Sequence, residues 1–168
     1  MLAGWVPAPA ASACSCAGGT TAEYATRADA VFSGRLVSRE VVGETALHVF
    51  VVETVHEGEV AARQGVVPAA SGATCGLEVA GQGPFLVFAT RDDDRLAAGL
   101  CGGTATWTPE VAAQLQELTG ATAAPRSGAA GTELPGGPSA GALAVGAAVL
   151  LAAAVGGELL LRRRRPLR

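Results

Sequence analysis

The distribution of apolar residues along the chain predicts a mainly β domain. Runs rich in Val and Phe, separated by turns that contain Gly or Asp, are typical of short strands. They predict five strands, at residues 30–42, 46–58, 65–71, 84–90 and 95–100. Gly34 lies inside the first of these runs and favours a β-bulge, whereas Pro68 in the third favours the edge of a sheet.

Two short helices are predicted to flank these strands. Thr20 and Glu23 have the spacing of a capping box, which predicts a helix over 20–27. The Thr-Pro-Glu sequence at 108–110 supplies an N-cap, a first-turn proline and a first-turn acid for a second helix, which we expect to end at 118. Because closure removes unpaired strand edges, this set of elements predicts a small closed barrel.

The C-terminal part of the chain has the pattern of a membrane anchor. Residues 140–157 carry no charge, and four consecutive arginines begin at Arg162. About 20 apolar residues cross the hydrocarbon core of a bilayer, and an arginine cluster stays on the cytoplasmic side. We therefore expect a transmembrane helix over 140–161 and a cytoplasmic tail over 162–168. The LPGGP sequence before this run leaves a sortase signal as an alternative, although it departs from the LPxTG pattern.

The other end of the chain indicates export. Residues 1–13 finish with Ala-Ser-Ala, which is typical of a signal-peptidase site, and we interpret them as the remnant of a signal peptide. Cleavage there makes Cys14 the first residue of the mature chain. Residues 121–139 are mainly Ala, Gly, Pro, Ser and Thr, so we expect a stalk between a domain at 14–120 and the membrane. The predicted localisation is the cell membrane, with a single span and the domain outside.

The charge of the predicted exported part excludes one class of partner. Residues 14–139 contain seven Arg and fourteen Asp or Glu, which gives a net charge near −7. Proteins that bind nucleic acids use basic surfaces to neutralise phosphates. We therefore expect no nucleic-acid partner. All twelve basic residues of the chain are Arg, as is typical of proteins from GC-rich bacterial genomes.

Four cysteines at 14, 16, 75 and 101 are the main candidates for chemistry. Export places them in an oxidising environment, where disulfides persist. Three pairings are possible, and a bridge between Cys14 and Cys16 would be strained, which leaves two pairings open. A zinc site would ordinarily use CxxC pairs, which are absent. A redox pair and lipidation of Cys14 remain as minor alternatives.

Other polar residues give weaker signals. His48 and His56 lie on one predicted strand, and we interpret them as histidines on the barrel surface. Asp92–Asp94 are interpreted as a solvated hairpin tip rather than a calcium site. The chain has no HExxH motif, nucleophile elbow or Walker sequence. We therefore predict neither an enzyme nor a bound cofactor.

Several segments of the chain resemble one known family. CSCAGG, ADAVFSGRLV, VFVVETVHEG, ATCGLEV, FLVFAT and LCGGT are similar to sequences of the tissue inhibitors of metalloproteinases. More narrowly, they resemble the TIMP-like (netrin-module) type in membrane-anchored bacterial proteins. The resemblance covers residues 14–118. It implies a five-stranded OB-fold barrel with flanking helices and the pairing Cys14–Cys75 and Cys16–Cys101.

The resemblance also implies a mechanism. In animal members, the α-amino nitrogen and the carbonyl oxygen of the mature N-terminal cysteine bind the catalytic zinc of a protease. In this chain Cys14 would be that residue, Ser15 would enter the specificity pocket, and Ala73 and Thr74 would add a second contact. The expected function is a surface-anchored inhibitor of a secreted or surface zinc metalloprotease, without a metal of its own. A non-inhibitory protein-interaction module is the alternative.

The chain departs from the animal family at several points. Its four cysteines cannot form the third disulfide of the animal module, and we expect a stalk and a membrane span after residue 120 where the animal proteins have a second domain. Proline is usual after Ala17, but Gly18 and Gly19 follow here, so we expect a looser N-terminal segment.

Overall fold

The computed structural model describes residues 14–43, 45–68 and 75–134. This part of the chain is mainly β, with two short helices. The helices are α1 (Thr21–Arg27) and α2 (Pro109–Thr119), and a 3-10 turn lies at Leu100–Gly102. The strands are β1 (Ala30–Val42), β2 (Thr45–Glu57), β3 (Ala61–Pro68), β4 (Phe85–Asp92), β5 (Arg95–Ala98), β6 (Ala105–Thr106) and β7 (Arg126–Ala130).

Five of the strands form a closed barrel, as predicted. Their order around the barrel is β1-β2-β3-β5-β4, and β4 pairs again with β1. The pairings are antiparallel except for β3 with β5, which run parallel. The short strand β6 extends the sheet from β4, and β7 pairs with β3.

β1 has a bulge at Gly34, in the region where it pairs with both β2 and β4. The β1–β2 register shifts between Ser33 and Gly34, and residues 30–34 also pair with β4. A Cβ atom at Gly34 would lie 2.6 Å from the carbonyl oxygen of Val51 on β2. Only glycine permits this approach of the two backbones, so the predicted bulge is confirmed.

The prediction that Pro68 marks a sheet edge is wrong. β3 pairs with β2 on one side and with β5 and β7 on the other. Pro68 itself lies beyond Val66, where the β2–β3 pairing ends, and it pairs with Ala98 of β5.

Two apolar clusters hold the barrel and the helices together. Inside the barrel, the Phe50 ring lies 5.8 Å from the Phe32 ring and 6.5 Å from the Phe85 ring, centroid to centroid. Outside the barrel, a second cluster joins Leu115 of α2 to Phe88 of β4 and to residues of α1 and β1. Both helices begin as predicted, with Thr20 and Thr108 as their N-caps.

The segment predicted to begin the stalk is part of the domain. The backbones of Val55 and Ala123 exchange two hydrogen bonds of 2.9 and 2.8 Å, and Arg126 N donates to Val60 O at 2.8 Å. β7 then runs parallel to β3. A Cβ atom at Gly65 would lie 1.8 Å from Gly131 O. The small residues that suggested a flexible stalk are those that allow this close backbone contact. Residues 135–139 lie outside the described residues.

The predicted membrane and export segments also lie outside the described residues. These are the signal remnant 1–13, the span 140–161 and the tail 162–168. Among residues 14–43, 45–68 and 75–134, no helix has the length and apolar character needed to cross a membrane.

The prediction that both histidines lie on the barrel surface is wrong. His48 and His56 are only 1% and 8% exposed, and none of their ring nitrogens has a hydrogen-bond partner within the described part of the chain. Burial lowers the pKa of both side chains, and the charge of Arg39, opposite His48 on β1, adds to the effect. The pKa of His48 falls to about 4. Alternating burial along β2 would leave one face of the strand exposed. Leu47 and Val49, on the face opposite His48, are also buried, so both faces of β2 are covered here.

The contacts of residues 121–134 predict the effect of removing them. A chain of residues 14–120 should unfold with a free energy about 3 kcal/mol lower than that of residues 14–134, because several hydrogen bonds worth about 1 kcal/mol each are lost. Urea denaturation measures the difference. The control is Gly65→Ala, which should destabilise the longer chain and have much less effect in the shorter one, where no Gly131 faces the new methyl group. Equal stability of the two chains would restore the stalk interpretation.

The buried histidines predict a dependence of stability on pH. Unfolded histidine has a pKa near 6.5, and folded His48 has one of about 4. The unfolded chain therefore binds a proton that the folded chain excludes, so stability is full above pH 6.5 and falls as the pH drops towards 4. For His48 the loss is about 3 kcal/mol.

The variant His48→Leu should remove most of this dependence, which denaturation at a series of pH values between 4 and 7 would show. Leucine keeps the site filled and cannot titrate. A slope equal to that of the unsubstituted protein would contradict the assignment to His48.

Candidate functional site: the N-terminal ridge

Residues 14–19, which we name the N-terminal ridge, lead into α1. They lie in neither a helix nor a strand. The capping box fixes the point at which the ridge joins the helix: Thr20 N donates to Glu23 Oε2 at 2.7 Å, and Glu23 N donates to Thr20 Oγ1 at 3.2 Å. The bond from the Thr20 backbone favours the ionised carboxylate and so lowers the pKa of Glu23.

Two disulfides attach the ridge to the barrel. Cys14 is bridged to Cys75 and Cys16 to Cys101, with Cα atoms 5.7 and 5.2 Å apart. This is the pairing that the family resemblance implies, and it leaves no cysteine reduced. The bridges close sequence separations of 61 and 85 residues. The ridge is therefore held at its first and third residues.

The two cysteines on the barrel side belong to one hydrogen-bonded unit. Leu100 N donates to Cys75 O at 2.8 Å, and Gly76 forms a β-bridge with Gly99. Cys75 has a φ of 66°, a conformation that costs a non-glycine residue about 1–3 kcal/mol and needs support from its surroundings. Because the two anchor points are joined, the disulfides hold the ridge against a single support.

Tyr24 fills the space between the ridge and the Cys101 turn. A Cβ atom at Gly103 would lie 2.3 Å from Tyr24 Cγ, and one at Gly19 would lie 3.0 Å from Tyr24 Cζ. The Tyr24 ring also packs at 5.8 Å from the Phe88 ring. Neither Tyr24 nor Gly103 stands out in the sequence, although the paired glycines after Cys101 are a signal of close backbone packing.

The two glycines of the ridge differ in their packing. A Cβ atom at Gly18 would meet nothing within 4 Å, whereas Gly19 is packed against Tyr24. The expected looseness of the ridge stays a prediction.

Two of the four predicted binding residues lie in the described part of the chain. Cys14 is half-buried beside Cys75, and Ser15 is exposed between the two bridged cysteines. Ala73 and Thr74 lie outside the described residues, immediately before Cys75 in the chain. The ridge thus presents one small polar side chain to solvent, flanked on both sides by covalent anchors.

The described residues contain no group of three or more His, Cys, Asp or Glu side chains that could hold a metal ion. Asp92–Asp94 form the exposed turn between β4 and β5, as predicted for a hairpin tip.

Comparison with known proteins adds no assignment. No protein-family model and no curated protein matches this chain. The resemblance to the tissue inhibitors of metalloproteinases therefore depends on the segments quoted above.

The disulfides predict a large loss of stability when they are removed. Replacing Cys16 and Cys101 together by serine should lower the free energy of unfolding by about 4 kcal/mol, because a loop of this length gains that much conformational freedom in the unfolded chain. Replacing Cys14 and Cys75 together should have a similar effect. Denaturation of each double variant against the oxidised parent protein measures the loss. A change below about 1 kcal/mol would show that the barrel does not depend on the bridges.

Proposed function

We propose that this protein inhibits a secreted or surface zinc metalloprotease through the mature N-terminus at Cys14. The α-amino nitrogen and carbonyl oxygen of Cys14 would bind the target's catalytic zinc, and Ser15 would enter the adjacent specificity pocket. The observation that carries the proposal is the attachment of the short ridge by two disulfides to one hydrogen-bonded unit. The exposed position of Ser15 between the bridges agrees with it.

Preorganisation explains why such a ridge would bind well. Fixing the backbone of one flexible residue costs about 1–2 kcal/mol, and a flexible N-terminus would lose this freedom on binding. Here folding and disulfide formation already fix both ends of the Cys14–Cys16 segment. More of the interaction energy then contributes to affinity.

The chemistry of the N-terminus suits an open zinc site. Catalytic zinc keeps one coordination position for water or substrate and accepts nitrogen and oxygen ligands. Only the neutral amine binds, and an α-amino group has a pKa of about 7.7–8.0. Affinity should therefore rise as the pH approaches 8. Signal-peptide cleavage before Cys14 would create this amine.

The proposed setting is the outer face of a cell membrane. The uncharged run at 140–157 and the arginines after it support a single span at 140–161, with the N-terminal domain outside. The acidic composition of residues 14–139 supports a protein partner rather than a nucleic acid.

The test is to extend the N-terminus by one residue. Residues 14–134 with one alanine added before Cys14 should lose inhibition of secreted zinc proteases by at least a hundredfold, because the amine is displaced from the zinc. Both disulfides and the unfolding midpoint should be unchanged. The matched control carries the added alanine after Leu134 and should inhibit like the parent protein.

Inhibition constants measured against a panel of proteases decide between the outcomes. Equal inhibition by the two N-terminal forms would exclude zinc binding by the amine. No inhibition by the parent protein at micromolar concentration would favour the non-inhibitory interaction module.

A further inference from the structure

A second surface feature lies beside the Cys101 turn. It is a cleft of about 320 Å³ between α1, β4 and the end of β5, which we name the Arg27 cleft. Tyr24, Arg27, Phe88, Thr90, Ala97 and Cys101 are among the residues that line it. We propose that this cleft binds the C-terminal residue of a partner polypeptide, with an apolar side chain inside and the α-carboxylate on Arg27. This goes beyond the proposed function, which uses the ridge and not the cleft.

The cleft walls are mostly apolar. Phe88, which is buried, and Tyr24 are among the lining residues. Ala98 packs into the barrel core, so on β5 it is Ala97 whose small side chain leaves the space open. Pockets for small molecules span about 300–1,000 Å³, so this one lies at the lower limit. Its size suits a single apolar side chain better than a larger ligand.

Arg27 gives the cleft its charge specificity. Among the described residues that line the cleft it is the one with a charge, and its guanidinium lies 5.3 Å from the centroid of the Tyr24 ring. The charge of Glu23, one turn earlier on α1, interacts with that of Arg27, but the Glu23 carboxylate accepts its hydrogen bond from the Thr20 backbone at 2.7 Å. Within the described residues, Arg27 forms no ion pair and donates no hydrogen bond. Its five N–H donors are therefore available to a carboxylate, for which a guanidinium has the matching geometry.

A polar group in the cleft favours a peptide over a simple fatty acid. The exposed Thr90 hydroxyl lies in the lining. Gly99 and Gly102 also line the cleft, but Gly102 N donates to Gly99 O at 3.0 Å. The Thr90 hydroxyl can hydrogen-bond to the amide that precedes a C-terminal residue. A carboxylate and an apolar side chain on the same residue, next to an amide, are found together at the C-terminus of a polypeptide.

The experiment is a titration of the full-length, ¹⁵N-labelled protein in neutral detergent, followed by amide NMR. The probe is N-acetyl-leucine. We expect a dissociation constant in the low millimolar range, since one such residue supplies only about 4 kcal/mol, with shifts at Gly99 and Gly102. N-acetyl-leucinamide, which lacks the charge, should bind at least fivefold more weakly. The compound 4-methylpentanoate, which lacks the amide, should also bind more weakly.

Substitutions assign the binding to the cleft. Arg27→Gln should weaken N-acetyl-leucine binding at least tenfold, and Arg27→Lys should restore part of it. Arg39→Gln removes the same charge from the exposed β1–β2 hairpin and should have no effect. Ala97→Leu should fill the cleft and reduce binding while the unfolding midpoint stays within a few degrees of the parent value.

Several results would overturn the proposal. Equal binding of the amide, or unchanged binding by Arg27→Gln, would exclude carboxylate recognition at Arg27. Tighter binding of 4-methylpentanoate would show that the cleft takes a small acyl ligand and not a peptide. Absence of shifts at about 20 mM probe would exclude a site of the expected affinity. None of these results bears on protease inhibition, so the two proposals fail separately.

Discussion

Two disulfides hold the N-terminal ridge, residues 14–19, against the barrel, and the proposed function depends on this attachment. These residues lie outside every helix and strand, so regular backbone pairing cannot fix their position. The bridges Cys14–Cys75 and Cys16–Cys101 do so at two points only two residues apart. Between Cys14 and Cys16 the chain therefore has little freedom left to lose when it binds a partner.

The barrel makes this attachment effective because its elements bring both anchors together. The antiparallel β4–β5 hairpin leads into the 3-10 turn that contains Cys101, and the hydrogen bond from Leu100 to Cys75 joins that turn to the other anchor. Between the ridge and this turn, Tyr24 packs against Gly103 and Gly19. The same tyrosine supports Arg27 at the neighbouring cleft. Two candidate binding features therefore share one packed unit.

Local signals predicted much of the fold, and non-local contacts account for what they missed. The bounds of β1, the capping box at Thr20 and the bulge at Gly34 depend on residues close in sequence, and the structure agrees with all three. The pairing of β7 with β3 joins segments about 65 residues apart, and no local pattern distinguishes it from a stalk. The burial of His48 likewise depends on both faces of β2 being covered. At the ridge, the spacing of the four cysteines left two disulfide pairings open. No sequence pattern indicated that Tyr24 packs against Gly19 and Gly103.

The proposed inhibition requires Cys14 to begin the mature protein and to present its amine on the anchored ridge. The decisive measurement is mass spectrometry of the N-terminal peptide of the mature protein isolated from its own cells. We expect a peptide that starts at Cys14, carries an unmodified α-amino group and remains linked to Cys75 until it is reduced. A mature chain that starts before Cys14, or a Cys14 whose amine or sulfur carries a lipid, would contradict it.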